Sequence, residues 1–80
     1  MVTVYSATWC AFCHAAMQYL DKLGVKYEVK DIEADRANAE ESVAKSGQMG
    51  IPVIDINNDI IIGFDRPRID SALREHKLMK

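Results

Sequence analysis

Short apolar runs and helically spaced apolar positions alternate along the first half of the chain. Residues 1 to 6 carry β-branched and aromatic side chains, which predicts a strand. From Ala11 to Leu23 the apolar residues recur at helical spacing, and Gly24 follows, so we predict a helix that ends at this glycine. Lys26 to Ile32 predicts a second strand. Because one helix separates the two strands, the simplest connection is a right-handed unit with parallel strands.

The second half predicts a helix, a hairpin and a final helix. Residues 34 to 46 are rich in alanine and glutamate, and we predict a helix with an apolar stripe that faces the core. Residues 51 to 62 hold two apolar runs separated by Asn57-Asn58, which predicts an antiparallel hairpin. Asp65 is the predicted cap of the last helix. The predicted stripes consist of Ala37, Val43 and Ala44 in the first of these helices and Ile69, Ala72 and Leu73 in the last.

The predicted order β-α-β-α-β-β-α indicates an α/β fold, with a four-stranded mixed sheet flanked by helices. A chain of 80 residues accommodates one hydrophobic core, so we expect a single domain over residues 1–80. Hydrophobic residues make up 49% of the chain and charged residues 28%, which is ordinary for a globular protein.

Charge and hydropathy exclude several classes of function. The formal net charge of -2 provides no basic field for phosphate groups, so we expect neither nucleic acid nor a membrane surface as a partner. The chain start shows no secretory leader pattern, and no apolar run is long enough to cross a bilayer. We therefore expect a cytoplasmic protein, and we expect it to act as a monomer.

Both cysteines lie at the junction between the first strand and the first helix. Cys10 is predicted to lie at or just before the first helical turn, where unsatisfied backbone N–H groups stabilise a thiolate. Cys13 lies three residues further on, hence on the same helix face and within reach of a disulfide bond. In a reducing compartment such a pair indicates redox or metal chemistry rather than a structural crosslink.

Three motifs in order resemble the glutaredoxin branch of the thioredoxin superfamily, especially its short bacterial members. They are Cys10-Ala11-Phe12-Cys13 after the first strand, Ile51-Pro52 before the third strand and Gly63-Phe64-Asp65 after the fourth. The resemblance covers essentially the whole chain. It implies a thioredoxin fold and a thiol-disulfide oxidoreductase that reduces protein disulfides or mixed disulfides.

The resemblance assigns the sulfur chemistry to the first motif. Cys10 aligns with the nucleophilic cysteine and Cys13 with the resolving cysteine. Phe12 stands where many glutaredoxins have tyrosine. Trp9 is expected to shield one side of the Cys10 sulfur and to present a flat apolar surface to partners.

The other two motifs are implied to bind the substrate. Pro52 matches the proline whose preceding peptide bond is cis in the family, so that the Ile51 backbone pairs with the cysteine residue of the substrate. Gly63, Phe64 and Asp65 align with the segment that binds the glutathione α-carboxylate and α-amine. We predict no metal ligands and no tightly bound cofactor, with glutathione as a candidate co-substrate.

Three departures from the family pattern leave two electron donors open. Thr8 stands where glutathione-using members carry lysine, Ile62 replaces the first of a glycine pair, and Arg66 replaces a second aspartate. Redoxins that thioredoxin reductase reduces directly have a segment similar to that of this chain. The donor is therefore glutathione or a thioredoxin-reductase-type flavoprotein, and the substrates are disulfide-containing proteins.

Other uses of the cysteines remain as alternatives. A monothiol deglutathionylase would use Cys10 alone. The run from Cys10 to His14 also matches the c-type haem attachment signature, for which Met17, Met49 or Met79 could be an axial ligand. An iron-sulfur carrier is a further alternative. Zinc needs about four ligands, and two cysteines with distant histidines are a poor set.

Overall fold

Four strands and three helices follow one another in the predicted order, in a computed structural model whose described part covers residues 1–78. The predicted α/β fold is confirmed. The elements are β1 (Val2–Ser6), α1 (Ala11–Lys22), β2 (Glu28–Asp31), α2 (Arg36–Ser46), β3 (Val53–Ile56), β4 (Asp59–Ile62) and α3 (Arg66–Glu75). None of the helices within residues 1–78 combines the length and the apolar character that crossing a membrane requires.

The strands form one mixed sheet in the order β2-β1-β3-β4. β1 pairs in parallel with β2 and antiparallel with β3, and β3 pairs antiparallel with β4. In the register between β1 and β3, Val4 lies opposite Ile54, whereas Tyr5 lies opposite Val53. Because side chains alternate along a strand, Val4 and Tyr5 point to opposite faces of the sheet.

The main hydrophobic core lies between one face of the sheet and the helices α1 and α3. The predicted inward stripe of α3 is confirmed, since all three of its members are buried. The core also buries two residues of α1 together with alternate residues of β1, β3 and β4. Its fully buried side chains include Val2, Val4, Ala16, Leu20, Ile54, Ile56, Ile61, Ile69 and Leu73.

The chain reverses between β3 and β4 at the predicted asparagines. Asn57 has φ of 50° and Asn58 has φ of 75°, so both adopt the left-handed conformation that a two-residue hairpin turn requires. β3 begins at Val53 rather than at Ile51. The reason is that Pro52 has no N–H group to donate to the strand ladder.

The predicted orientation of α2 is wrong. Ala37, Val43 and Ala44 are all exposed, and the fully buried residue of this helix is Ser42. The sheet face beneath α2 presents the Tyr5 hydroxyl, Lys30 and Asp55 beside the aliphatic Val53. The polar side of α2 therefore faces the sheet.

A cluster of charged side chains joins α2 to this face. The Tyr5 hydroxyl donates to Glu41 at 2.5 Å, and Lys30 Nζ donates to the same carboxylate at 3.0 Å. Lys45 Nζ donates to the buried Asp55 at 2.5 Å. The hydrogen bond from the Tyr5 hydroxyl has the largest effect on Glu41 and, together with that from Lys30, lowers the pKa of Glu41 to about 2. The hydrogen bond with Asp55 raises the pKa of Lys45.

We predict that Glu41 contributes to stability above its ordinary pKa of 4.5 and that this contribution is lost as the pH falls toward 2, because folding lowers the pKa. Glu41→Gln should cost on the order of 1 kcal/mol at neutral pH, a figure that allows for solvent screening. The allowance is needed because the Glu41 side chain is 36% exposed. Urea unfolding across this pH range measures both effects.

The control is Glu40→Gln, which removes a neighbouring carboxylate that pairs, among residues 1–78, with the exposed Arg36. This variant should keep the wild-type loss of stability in acid. An unchanged acid dependence in Glu41→Gln would contradict the role of the cluster.

Candidate active site

The active-site cysteines lie where β1 passes into α1. The Cys10 N–H donates to the Ala7 carbonyl at 3.1 Å, which closes a turn through Thr8 and Trp9. Cys10 has extended backbone angles and is the N-cap of α1. It therefore occupies the end of the helix at which backbone N–H groups point outward, as predicted.

The two sulfur atoms lie 2.50 Å apart, and the Cα atoms of Cys10 and Cys13 are separated by 5.2 Å. This Cα separation falls within the range of disulfide-bonded cysteines. The Cys13 N–H donates to Cys10 Sγ at 3.2 Å, so the sulfur of Cys10 takes the place of the oxygen that usually caps a helix. The same hydrogen bond would support a negative charge on that sulfur.

The two cysteines differ slightly in exposure. Cys10 exposes 6% of its surface and Cys13 exposes none. They form a small apolar cluster with Ala7, against which the half-buried Ile51 packs. An incoming group can therefore reach the Cys10 sulfur before it reaches that of Cys13.

Two aromatic side chains stand exposed beside the sulfurs. Trp9 is 67% exposed and Phe12 is 68% exposed, so neither ring belongs to the core. Ala11, the other residue between the cysteines, is also exposed. Met49 is another exposed apolar residue, in the loop just before Ile51, and the sequence reasoning offered it only as a possible axial haem ligand. The sequence feature that could have indicated a surface role for Met49 is its position, as a large apolar residue, between Gly47 and Gly50.

The Ile51-Pro52 peptide bond is cis, as the family resemblance implied. Ile51 contacts the sulfur cluster, and the Pro52 carbonyl accepts a hydrogen bond from the Gly63 N–H at 2.8 Å. The structure therefore brings the second and third motifs together beside the cysteines. Gly63 has φ of 82°, a conformation that favours glycine.

Phe64 and Asp65 follow Gly63 at the start of α3. Asp65 is the N-cap of α3, as predicted, and one of its carboxylate oxygens accepts from the Arg68 N–H at 3.3 Å. Phe64 is half-buried and meets the Tyr19 ring edge to face, with 5.9 Å between the ring centroids. Both residues are thus held by the helices rather than by the sulfur cluster.

Tyr19, Arg66 and Asp70 form a group that the sequence reasoning missed. The Tyr19 hydroxyl donates to Asp70 at 2.5 Å, and the Arg66 guanidinium lies 4.7 Å from the centroid of the Tyr19 ring. The hydrogen bond to Asp70 raises the pKa of Tyr19. Arg66 and Asp70 are four residues apart on α3, but no local signal links them to α1.

His14 lies on the exposed flank of α1. Its Nε2 donates to the Thr8 carbonyl at 2.9 Å and so braces the turn before Cys10. Met17 packs against the sulfur cluster, whereas Met79 lies outside the described residues. Within residues 1–78, no group of three or more histidine, cysteine, aspartate or glutamate side chains is placed to hold a metal ion.

Comparisons with known proteins agree with this site. The family model described as glutaredoxin matches residues 2–61. An uncharacterized glutaredoxin-like 8.6 kDa protein in the rubredoxin operon of Clostridium pasteurianum is 31% identical over 75 residues, which cover 94% of this chain and 100% of that protein.

Two solved structures show the same fold. A glutaredoxin from Archaeoglobus fulgidus has a TM-score of 0.83 at 22% identity, covering 91% of this chain and 85% of its own. The glutaredoxin-like NrdH-redoxin of Escherichia coli has a TM-score of 0.77 at 23% identity, covering 88% and 91%. These similarities confirm the thioredoxin fold. With the family match over residues 2–61 and a cysteine pair at disulfide distance, the chain belongs to the glutaredoxin family of thiol oxidoreductases.

Proposed function

We propose that the chain is a dithiol oxidoreductase that reduces protein disulfides or mixed disulfides, with Cys10 as nucleophile and Cys13 as resolving thiol. The observation that carries this proposal is the asymmetry of the pair. Cys10 caps α1 and exposes 6% of its surface, whereas Cys13 is fully buried, with its sulfur 2.50 Å from that of Cys10. A thiolate at a helix N-terminus is the attacking species that such chemistry needs.

The reaction proceeds in two exchanges. The Cys10 thiolate attacks one sulfur of the target disulfide, so that a mixed disulfide forms and the other target sulfur leaves as a thiolate. Cys13, once deprotonated, then attacks Cys10 Sγ and releases the remaining target sulfur. The target gains two electrons and two protons, and the chain is left with the disulfide between Cys10 and Cys13.

The residues around the sulfurs would bind the target. Trp9 and Phe12 offer exposed apolar surface on the Cys10 side. We propose that the backbone of Ile51, beside Pro52, pairs with the substrate chain at its cysteine. Gly63, Phe64 and Asp65 are proposed to contact the same substrate from the α3 side.

For the electron donor we propose a thioredoxin-reductase-type flavoprotein. Thr8 offers no positive charge to a carboxylate of glutathione. Arg66 stands where the family pattern has a second aspartate, and its guanidinium lies over the Tyr19 ring. The NrdH-redoxin of similar fold is described as having a thioredoxin-like activity profile. Glutathione is the second candidate, because Asp65 uses one carboxylate oxygen as helix cap and keeps the other for an amine.

We predict that Cys10→Ser abolishes disulfide reduction, because it removes the attacking sulfur. Cys13→Ser should complete the first exchange only and accumulate a one-to-one mixed disulfide with a protein target. Non-reducing electrophoresis and mass spectrometry of the trapped species measure this. Ala44→Ser, which adds a hydroxyl on the exposed side of α2 and keeps both thiols, should behave as wild type.

A Cys13→Ser variant that turned over a protein disulfide at the wild-type rate would contradict the dithiol cycle. Full deglutathionylation by this variant would instead support the monothiol alternative, in which Cys10 acts alone.

We predict faster NADPH oxidation with thioredoxin reductase than with glutathione and glutathione reductase. Thr8→Lys should raise the glutathione-coupled rate about two- to fivefold, the effect of one exposed ion pair. Gln18→Lys adds the same charge to the exposed side of α1, two turns from Cys10, and should leave this rate unchanged. A wild-type preference for glutathione would overturn the proposed donor.

A further inference from the structure

We infer that Tyr19, Arg66 and Asp70 are positioning residues that hold Phe64, in the segment proposed to contact the substrate, and thereby set the affinity for the polypeptide part of the disulfide substrate. This inference rests on the proposed function and specifies how its substrate site is built.

The Tyr19 ring is fixed by two contacts from α3. Its hydroxyl donates to Asp70 at 2.5 Å, and the Arg66 guanidinium covers one face of the ring at 4.7 Å from the centroid. A hydroxyl contact and a face contact together determine both the position and the plane of the ring. Since Arg66 and Asp70 lie one helical turn apart, α3 presents both groups to the same tyrosine.

The fixed ring in turn holds Phe64. The two rings meet at an interplanar angle of 66° with 5.9 Å between centroids, a favourable edge-to-face arrangement. Phe64 directly follows Gly63, whose N–H donates to the Pro52 carbonyl at 2.8 Å. A shift of Phe64 would therefore pull on the hydrogen bond that joins its loop to the cis-proline segment.

This network links the two sides of the site. α1 carries the sulfurs at its start and Tyr19 two turns later. The contacts of Tyr19 with α3 thus tie the helix of the nucleophile to the loop that is proposed to bind the substrate.

The three residues act away from the reacting atoms. The sulfur cluster consists of Ala7, Cys10 and Cys13 with Met17, Ile32 and Ile51 packed against it, and none of the three positioning residues belongs to it. Their loss should therefore weaken substrate binding and leave the chemistry of the sulfurs unchanged. This combination separates a positioning role from a catalytic one.

The test compares KM and kcat for a glutathionylated peptide in Tyr19→Leu and Tyr19→Phe. Tyr19→Phe keeps the ring and loses only the hydrogen bond to Asp70, so KM should rise about threefold, as expected for one such bond. Tyr19→Leu also loses both ring contacts, and its KM should rise about tenfold. In both variants kcat, and the reaction of reduced Cys10 with a small aromatic disulfide, should stay within about twofold of wild type.

Tyr27→Phe is the matched control. The Tyr27 hydroxyl also donates to an aspartate, Asp21, at 2.9 Å, but it lies just before β2, at the end of the sheet away from the cysteines. This variant should keep the wild-type KM. A KM in Tyr19→Leu no higher than in Tyr27→Phe would overturn the inference, and so would a fall in kcat at unchanged KM.

Hydrogen exchange of the Gly63 amide, which donates to the Pro52 carbonyl, provides a readout that does not depend on activity. Exchange at this amide should accelerate in Tyr19→Leu and in Tyr19→Phe, and remain as in wild type in Tyr27→Phe. If the wild-type chain reduces no disulfide, the proposed function fails, yet accelerated exchange would still show that Tyr19 holds this loop. Unchanged exchange in both Tyr19 variants would overturn the inference whatever the activity.

Discussion

The hydrogen bond from the Cys13 N–H to Cys10 Sγ is the contact on which the site depends. It makes one cysteine the cap of α1 and sets the second cysteine one turn into the same helix. The contact requires that β1 deliver the chain to the start of α1 in a fixed position. β1 is suited to this because it is paired on both sides, with β2 and with β3. A central strand with a helix packed over it gives the sulfurs a rigid support.

The two faces of the sheet are stabilised by different forces. Between the sheet and α1 and α3, aliphatic side chains exclude water, and this burial supplies most of the stabilisation. Under α2, the carboxylates of Glu41 and Asp55 meet the ammonium groups of Lys30 and Lys45. Such pairs depend on geometry and protonation, and they contribute little when exposed. Loss of α2 packing in acid would therefore leave the helix of the nucleophile in place.

Features with local signals were predictable from the sequence, and those that depend on distant partners were not. The hairpin at Asn57-Asn58, the Asp65 cap and the place of Cys10 at a helix start each follow from a few neighbouring residues. The orientation of α2 was predicted wrongly, because it depends on Tyr5 and Asp55 on the sheet beneath it. The contact of Tyr19 with Asp70 spans 51 residues, so nothing near either residue indicates it.

Because Ala11 and Phe12 point outward, the surface that a partner recognises is separate from the packing that stabilises the fold. Both residues stand between the cysteines, and both face solvent. A change at either position would alter the surface that a partner meets without creating a cavity in the core, where substitutions are most costly. Natural variation can therefore diversify the recognition of partners at these two positions while the folding of the domain is preserved.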